Sequence, residues 1–270
     1  MATSNLREPI VAGQFYPADE ASLRRELATY VVAAERKPYP GGLCPHAGYV
    51  YSGPTAGELF ARLRVPAVVV LLGPKHHSAG APYAVWPAGA WRTPLGDAPV
   101  NEDVAAALLE KCPLLEADEA AHLPEHSLEV VVPFVQYVNP DAAIVPVALG
   151  PMAAAAVRDT GAGVAAALEP FKQDAVVIVS SDMTHYESAA SAERKDALAI
   201  ERLKELDGEG LLEVVASHDI SMCGVWPAAV ALVALRALGA SGGTLIRYAT
   251  SAEASGDYGH VVGYAALAFA

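Results

Sequence analysis

The sequence predicts an α/β fold: one domain over residues 1–270, with a central mixed β-sheet flanked by helices. Three observations carry this. Ala67–Leu72, Ala143–Leu149 and Ala175–Val179 are apolar runs with β-branched residues, the pattern of strands buried on both faces. Segments with helical periodicity lie between such runs, which is the order of a layered α/β protein. No Gly/Ser linker, charge run or repeat divides the chain, and 53% hydrophobic against 18% charged residues suffices for one sizeable core.

Taken in order, Gly13-Gln14-Phe15-Tyr16-Pro17 is a turn with aromatic anchors. Leu23, Leu27, Val31 and Val32 fall near i, i+4 and i+8, which predicts a helix from about Glu20 to Arg36 with one core face. Gly42 to Tyr49 reads as a Pro/Gly loop that carries His46. A second helix is expected over Thr55–Leu63, and the central strand follows, stopping at Gly73-Pro74. Tyr83–Trp86 and Trp91–Gly96 read as a β excursion, and Asn101 caps a helix to Lys111. Beyond the polar stretch His122–Glu129 come the 143–149 strand, an alanine-rich helix and the 175–180 strand. A long helix over Ser188–Leu206, a short one over Gly210–Ala216 and a third from Pro227 to Leu238 follow. Strands over Thr244–Tyr248 and His260–Phe269 close the chain.

The net charge is −13 and no basic cluster stands against it, so no nucleic-acid partner is expected. The opening Met1–Ile10 has no apolar core of signal-peptide length, and no run reaches the roughly 18 uncharged apolar residues of a membrane span. A cytoplasmic protein with no membrane partner is the expectation. Cys44, Cys112 and Cys223 lie far apart with no C-x-x-C pair, which predicts reduced thiols.

Two motifs fail their context. Gly161-Ala162-Gly163-Val164-Ala165-Ala166 matches a dinucleotide fingerprint but lies in a helical stretch with no strand before it. Gly239-Ala240-Ser241-Gly242-Gly243 matches a hydrolase elbow but joins helix to strand, the reverse of the required order.

What survives is a convergence of polar residues on strand ends. The central strand delivers His76 and His77 just past its carboxyl end, where open α/β sheets place ligand sites. The 42–49 loop carries His46, and the 175–180 strand runs into Ser181-Asp182-Met183-Thr184-His185. His46, His76 and Cys223 are candidate metal donors. Asp182, His185, His126 and Glu129 are candidate outer contacts or proton-transfer groups, and His77 is an outer contact or a loop cap. Two histidines with a carboxylate would select non-haem Fe(II), whereas a cysteine in the third place leaves iron, copper and zinc open. Taken singly, each residue also has a structural reading: a hydrogen-bonded histidine, or a cysteine that packs as a small hydrophobe.

Gly-Gln-Phe-Tyr-Pro (13–17), Pro-His-Ala-Gly-Tyr (45–49), Gly-Pro-Lys-His-His (73–77), Thr-Pro-Leu-Gly (93–96), Glu-His-Ser-Leu-Glu (125–129), Ser-Ser-Asp-Met-Thr-His-Tyr (180–186), Met-Cys-Gly (222–224) and Val-Val-Gly-Tyr-Ala (261–265) together resemble the Memo family. Its prokaryotic members are called AmmeMemoRadiSam system protein B. The resemblance is ordered and spans nearly the whole chain. It implies a fold like that of the class III extradiol dioxygenases. It also implies that His46, His76 and Cys223 bind a metal, with Asp182 and His185 lining the same pocket and His185 acting as acid/base. In those dioxygenases a glutamate stands in the place matched by Cys223. Members of the animal type follow Cys-Gly with Arg-His-Pro, whereas here the chain reads Cys223-Gly224-Val225-Trp226-Pro227, trading a charge for an indole on the expected pocket wall. The prokaryotic name implies a link to a radical SAM protein and an AMMECR1-like protein.

Two functions follow. One is a dioxygenase-like redox enzyme with Fe(II), copper or zinc being the alternatives, acting on a small, aromatic-type substrate, with His185 moving a proton and Asp182 orienting it. The other is a non-catalytic protein that holds a metal or a peptide in the same pocket. The number of proton-transfer groups beside the candidate ligands ranks the enzyme first.

Overall fold

Buried apolar runs need hydrogen-bonded neighbours on both sides, and the chain meets this by placing them next to one another. In the computed structural model, which describes residues 5–270, the strands are β1 (Leu6–Arg7), β2 (Gly41–Cys44), β3 (Val68–Pro74), β4 (Tyr83–Val85), β5 (Ala90–Thr93), β6 (Gly96–Pro99), β7 (Glu116–Ala117), β8 (Ala143–Leu149), β9 (Ala175–Ser180), β10 (His185–Glu187), β11 (Gly243–Thr250) and β12 (Val261–Phe269). The helices are α1 (Glu20–Tyr30), α2 (Tyr49–Arg62), α3 (Glu102–Lys111), α4 (Val132–Val138), α5 (Ala154–Leu168), α6 (Ala189–Lys204), α7 (Gly208–Ser217), α8 (Val225–Ala237) and α9 (Ala252–Ser255). The signal-peptide and single-domain expectations for residues 1–4 lie outside the described residues.

β2, β9, β3 and β8 run parallel, side by side in that order. Antiparallel β4 extends the sheet beyond β8, and antiparallel β12 extends it beyond β2, pairing also with β11 and β10. The sheet is therefore mixed, with a purely parallel centre. The hairpin β5–β6 and β1 form a separate three-stranded sheet. Alternate residues of β3 enter two cores on opposite faces. Val68, Val70 and Leu72 pack with α3, α5 and α8, and Val69 and Leu71 pack with α1, α2 and α4. Helices thus cover both faces, the arrangement that parallel strands require.

Helix α4 has no counterpart in the sequence reading, and three elements read from it differ in the structure. The helix expected to Arg36 ends at Tyr30, because the backbone turns out of helix at Val31, which stays in the core while Val32 goes to solvent. The second helix starts at Tyr49, ahead of the expected Thr55, and carries Pro54 inside it. The glycine-rich loop before His46 is in fact the central strand β2. A β-carbon on Gly41 would lie 2.6 Å from Leu235 Cδ1, and one on Gly42 would lie 3.0 Å from the Leu267 carbonyl. The two glycines are there because helix and strand neighbours leave no room, which overrides their low strand propensity.

The rejected dinucleotide motif is a packing feature of α5: Gly161 abuts Val233, and Gly163 abuts the Lys111 carbonyl. Among the described residues, no helix is long and apolar enough to cross a membrane.

Candidate metal centre

Three adjacent parallel strands, β2, β9 and β3, end at one edge of the sheet, and each releases a polar segment there. From β2 comes His46, which is buried. Its backbone N–H donates to Asp182 Oδ1 (2.8 Å), which ties the β2 exit to the β9 exit. Its Nδ1 lies 2.8 Å from Ser180 Oγ, while that hydroxyl donates its own hydrogen to the Ser127 carbonyl (2.7 Å). Ser180 Oγ must then accept from His46, so the proton sits on Nδ1 and the lone pair is on Nε2.

From β3 comes His76. Its Nδ1 meets Glu125 Oε1 at 2.8 Å and its backbone N–H donates to Glu125 Oε2 at 2.6 Å. Glu125 is fully buried and also accepts from the Ser127 N–H (2.9 Å). Ser127 in turn donates to the Pro74 carbonyl, so the 125–127 segment clamps the ends of β3 and β9 together. Again Nδ1 is committed and Nε2 is left to act.

The third candidate donor, Cys223, stands just before α8. Gly224 lets its loop press onto β9, since a β-carbon there would lie 2.5 Å from Ser181 Cβ. Cys223 Sγ lies 3.4 Å from His46 Nε2 and accepts from the Asp182 N–H at 3.2 Å. One donor atom from each of His46, His76 and Cys223 falls within 4.8 Å of the others, close enough to share one ion.

Electrostatics fit a cation at this point. Burial, with neighbouring His126 and His76, pushes His46 well below the usual histidine range, keeping it neutral. Burial and the Asp182 charge push the Cys223 thiol up, so a thiolate there calls for a bound cation. Burial also raises Asp182, against the His46 N–H bond and the nearby histidines. Burial opposes ionisation of Glu125, but its bonds from His76 and Ser127 outweigh this and hold it well below the carboxylate range. Burial likewise opposes protonation of His76, and the bond to Glu125 outweighs it, so His76 is raised.

The other sequence candidates divide. His126 stacks on His76 (ring centroids 5.0 Å) and meets His46 edge-on (5.6 Å), putting it on the wall of the centre. His185 donates Nδ1–H to the Ser221 carbonyl (2.9 Å), which leaves Nε2 as an acceptor. Glu129 is engaged elsewhere: its carboxylate takes Arg7 (2.7 Å), the Ile10 and Val11 N–H groups and the Tyr16 hydroxyl (2.8 Å). The carboxylate contact expected of Glu129 belongs to Glu125. His77 is exposed, with its backbone carbonyl holding Lys75 Nζ. Trp226, expected on the pocket wall, packs half-buried against the larger core. Glu125, Ser127 and Ser180 escaped the sequence reading, although each sits next to a residue that was singled out.

A family model described as Memo-like protein matches residues 7–268. The chain is 42% identical over 279 residues to a MEMO1 family protein of Methanopyrus kandleri, covering 97% of this chain and 98% of that one. It is 38% identical to one of Methanothermobacter thermautotrophicus, with 97% and 99% covered, and 38% identical to one of Aquifex aeolicus, with 98% and 99% covered. The crystal structure of uncharacterized protein JW3007 from Escherichia coli K12 superposes with a TM-score of 0.51 at 16% identity, covering 85% of this chain and 99% of that one, a likeness of fold. On the family match and on relatives aligned over nearly their whole length, this chain belongs to the Memo family.

Proposed function

We propose that the chain is a metal-dependent redox enzyme, using Fe(II) held by His46, His76 and Cys223 and acting on a small aromatic substrate. The observation that supports it best is the committed Nδ1 of both imidazoles. A histidine whose far nitrogen is fixed by a carboxylate or a hydroxyl offers its near nitrogen in one tautomer and one orientation, as metal ligands require. Bound Fe(II) would supply the redox chemistry toward O₂ and open positions for substrate.

The rest of the work falls to the chain itself. Asp182 N–H steadies the sulfur of Cys223, and Asp182 Oδ1 fixes the His46 backbone. His185 Nε2 takes a proton from a substrate hydroxyl, with Ser221 holding the ring by its other nitrogen. The raised Asp182 carboxyl is a second place for that proton. His126 and Phe15, in edge contact at 5.1 Å, form an aromatic wall beside the donors.

The test is elemental analysis of anaerobically purified protein, native against Cys223→Ala, followed by O₂ uptake with catechol-type substrates. Stoichiometric iron that falls in the variant is the expected result; absence of metal from both proteins would end the proposal. One observation favours a second reading, a non-catalytic metal- or peptide-binding role: the third donor is a half-buried thiol, which O₂ chemistry beside it would oxidise. Under that reading His46→Ala abolishes partner binding, and unchanged binding would count against it.

A further inference from the structure

Beside the candidate metal centre lies a separate cavity of about 330 Å³, walled by Tyr51 from α2, Tyr186 from β10 and Tyr264 from β12, with Ser255, Asp257 and His260 at its rim. Two of its walls set it apart. Tyr264 lines the cavity, is 2% exposed as a residue, and makes no side-chain hydrogen bond to any described residue. Burial, with the Asp182 charge next, raises Tyr264 far above the ordinary range, so the hydroxyl stays neutral. Tyr186 is 77% exposed and holds φ at +60°, a conformation that costs a non-glycine residue and is kept where the surroundings demand it.

The charge of the lining narrows the ligand. No lysine or arginine borders the cavity, and Asp257 stands at its rim with one carboxylate oxygen taking the Gly259 N–H and the other uncommitted. Aromatic faces with a carboxylate and no competing cation are the recognition chemistry of an organic cation. A protein of net charge −13 draws such ions toward it.

We propose that the Tyr51–Tyr186–Tyr264 cavity binds an organic ammonium ion, an amine carried on an apolar or aromatic body. The tyrosine faces take the cationic head by cation–π attraction, Asp257 supplies the opposite charge, and the Tyr264 hydroxyl oxygen accepts an N–H. The site stands independently of the metal reading, since none of these residues is a candidate ligand.

The experiment is titration of the full-length, chelator-treated protein with phenethylammonium, and with 2-phenylethanol and phenylacetate as neutral and anionic counterparts, followed by calorimetry and by tyrosine-ring NMR. The amine is expected to bind at least tenfold more tightly than the alcohol, with the Tyr51, Tyr186 and Tyr264 resonances shifting. Asp257→Asn is expected to erase most of that margin, and Tyr51→Ala with Tyr186→Ala to weaken the amine further. Circular dichroism of each variant confirms folding, and both substituted faces are exposed. Equal binding of amine and alcohol, amine binding indifferent to these substitutions, or no binding of the amine at millimolar concentration would each overturn the proposal. Repeating the titration on iron-loaded protein separates this site from the metal centre, whose failure would leave the amine result unchanged.

Discussion

His46 and His76 reach the same end by unequal means. One imidazole is fixed by a neutral hydroxyl that is itself anchored to a carbonyl, the other by a buried carboxylate with three protein donors. A carboxylate partner raises the basicity of its histidine more than a hydroxyl does. Glu125→Gln should therefore lower metal affinity about 10–100-fold, and Ser180→Ala by less, measured by chelator competition. His185→Gln should leave metal content unchanged and lower turnover about 10²–10⁴-fold, which a combined iron assay and rate measurement would check. The cluster of candidate donors could be picked out in the sequence because histidine and cysteine at strand ends are few and chemically distinct. The carboxylate was not, because Glu125 and Glu129 have the same chemistry and flank the same histidine. Only the chain's path around Arg7 decides which of them faces His76 and which is taken by the guanidinium.

At the scale of elements, β1 and β2 matter more to the centre than their length suggests. Arg7 on β1 pairs with Glu129 and also donates to the His122 and Glu125 carbonyls, both at the buried start of the segment that carries Glu125 and His126. Arg7→Met leaves a buried carboxylate unpaired and should cost about 3–5 kcal/mol, read from urea denaturation. On β2, Gly42→Ala inserts a methyl against Leu59 and the Leu267 carbonyl and should cost about 1–3 kcal/mol. Because β2 carries His46 at its exit, the same variant should lose metal affinity at temperatures where it is still folded. Runs such as Val68–Leu72 and Val176–Val179 announce themselves as strands through β-branched residues. Gly41–Cys44 does not, since what makes it a strand is the closeness of Leu235, Leu59 and β12, all distant in sequence.

For the whole molecule, buried histidines set the response to acid. His46, His122 and His126 are all lowered by burial, so the unfolded chain takes up protons that the folded one refuses. For a lowered pKa, stability is complete above the unfolded value of 6.5 and is lost as pH falls below it. His122, pushed down to about 4, alone contributes a loss of about 3 kcal/mol between those values, at about 1.4 kcal/mol per pH unit. Below pH 4.5 the lowered Glu125 adds to the loss, while raised His76 acts oppositely, giving up its contribution as pH rises past its folded value. Thermal denaturation across pH should show a plateau near neutrality and a steep fall from 6.5 to 4. His122→Asn should flatten that fall, whatever it does to stability at pH 7.

The position of β9 between β2 and β3 carries a consequence for the order of events in synthesis. A nascent chain that has emerged as far as Leu149 already contains both histidine donors, but the strand that spaces them, the hydroxyl that orients one of them and the thiol that completes the set are still to be translated. An ion shared by all three candidate donors could therefore be held only once the chain past Cys223 has been made. An ion bound there would report that the chain is complete and correctly threaded, whereas the metal of a zinc finger nucleates its structure.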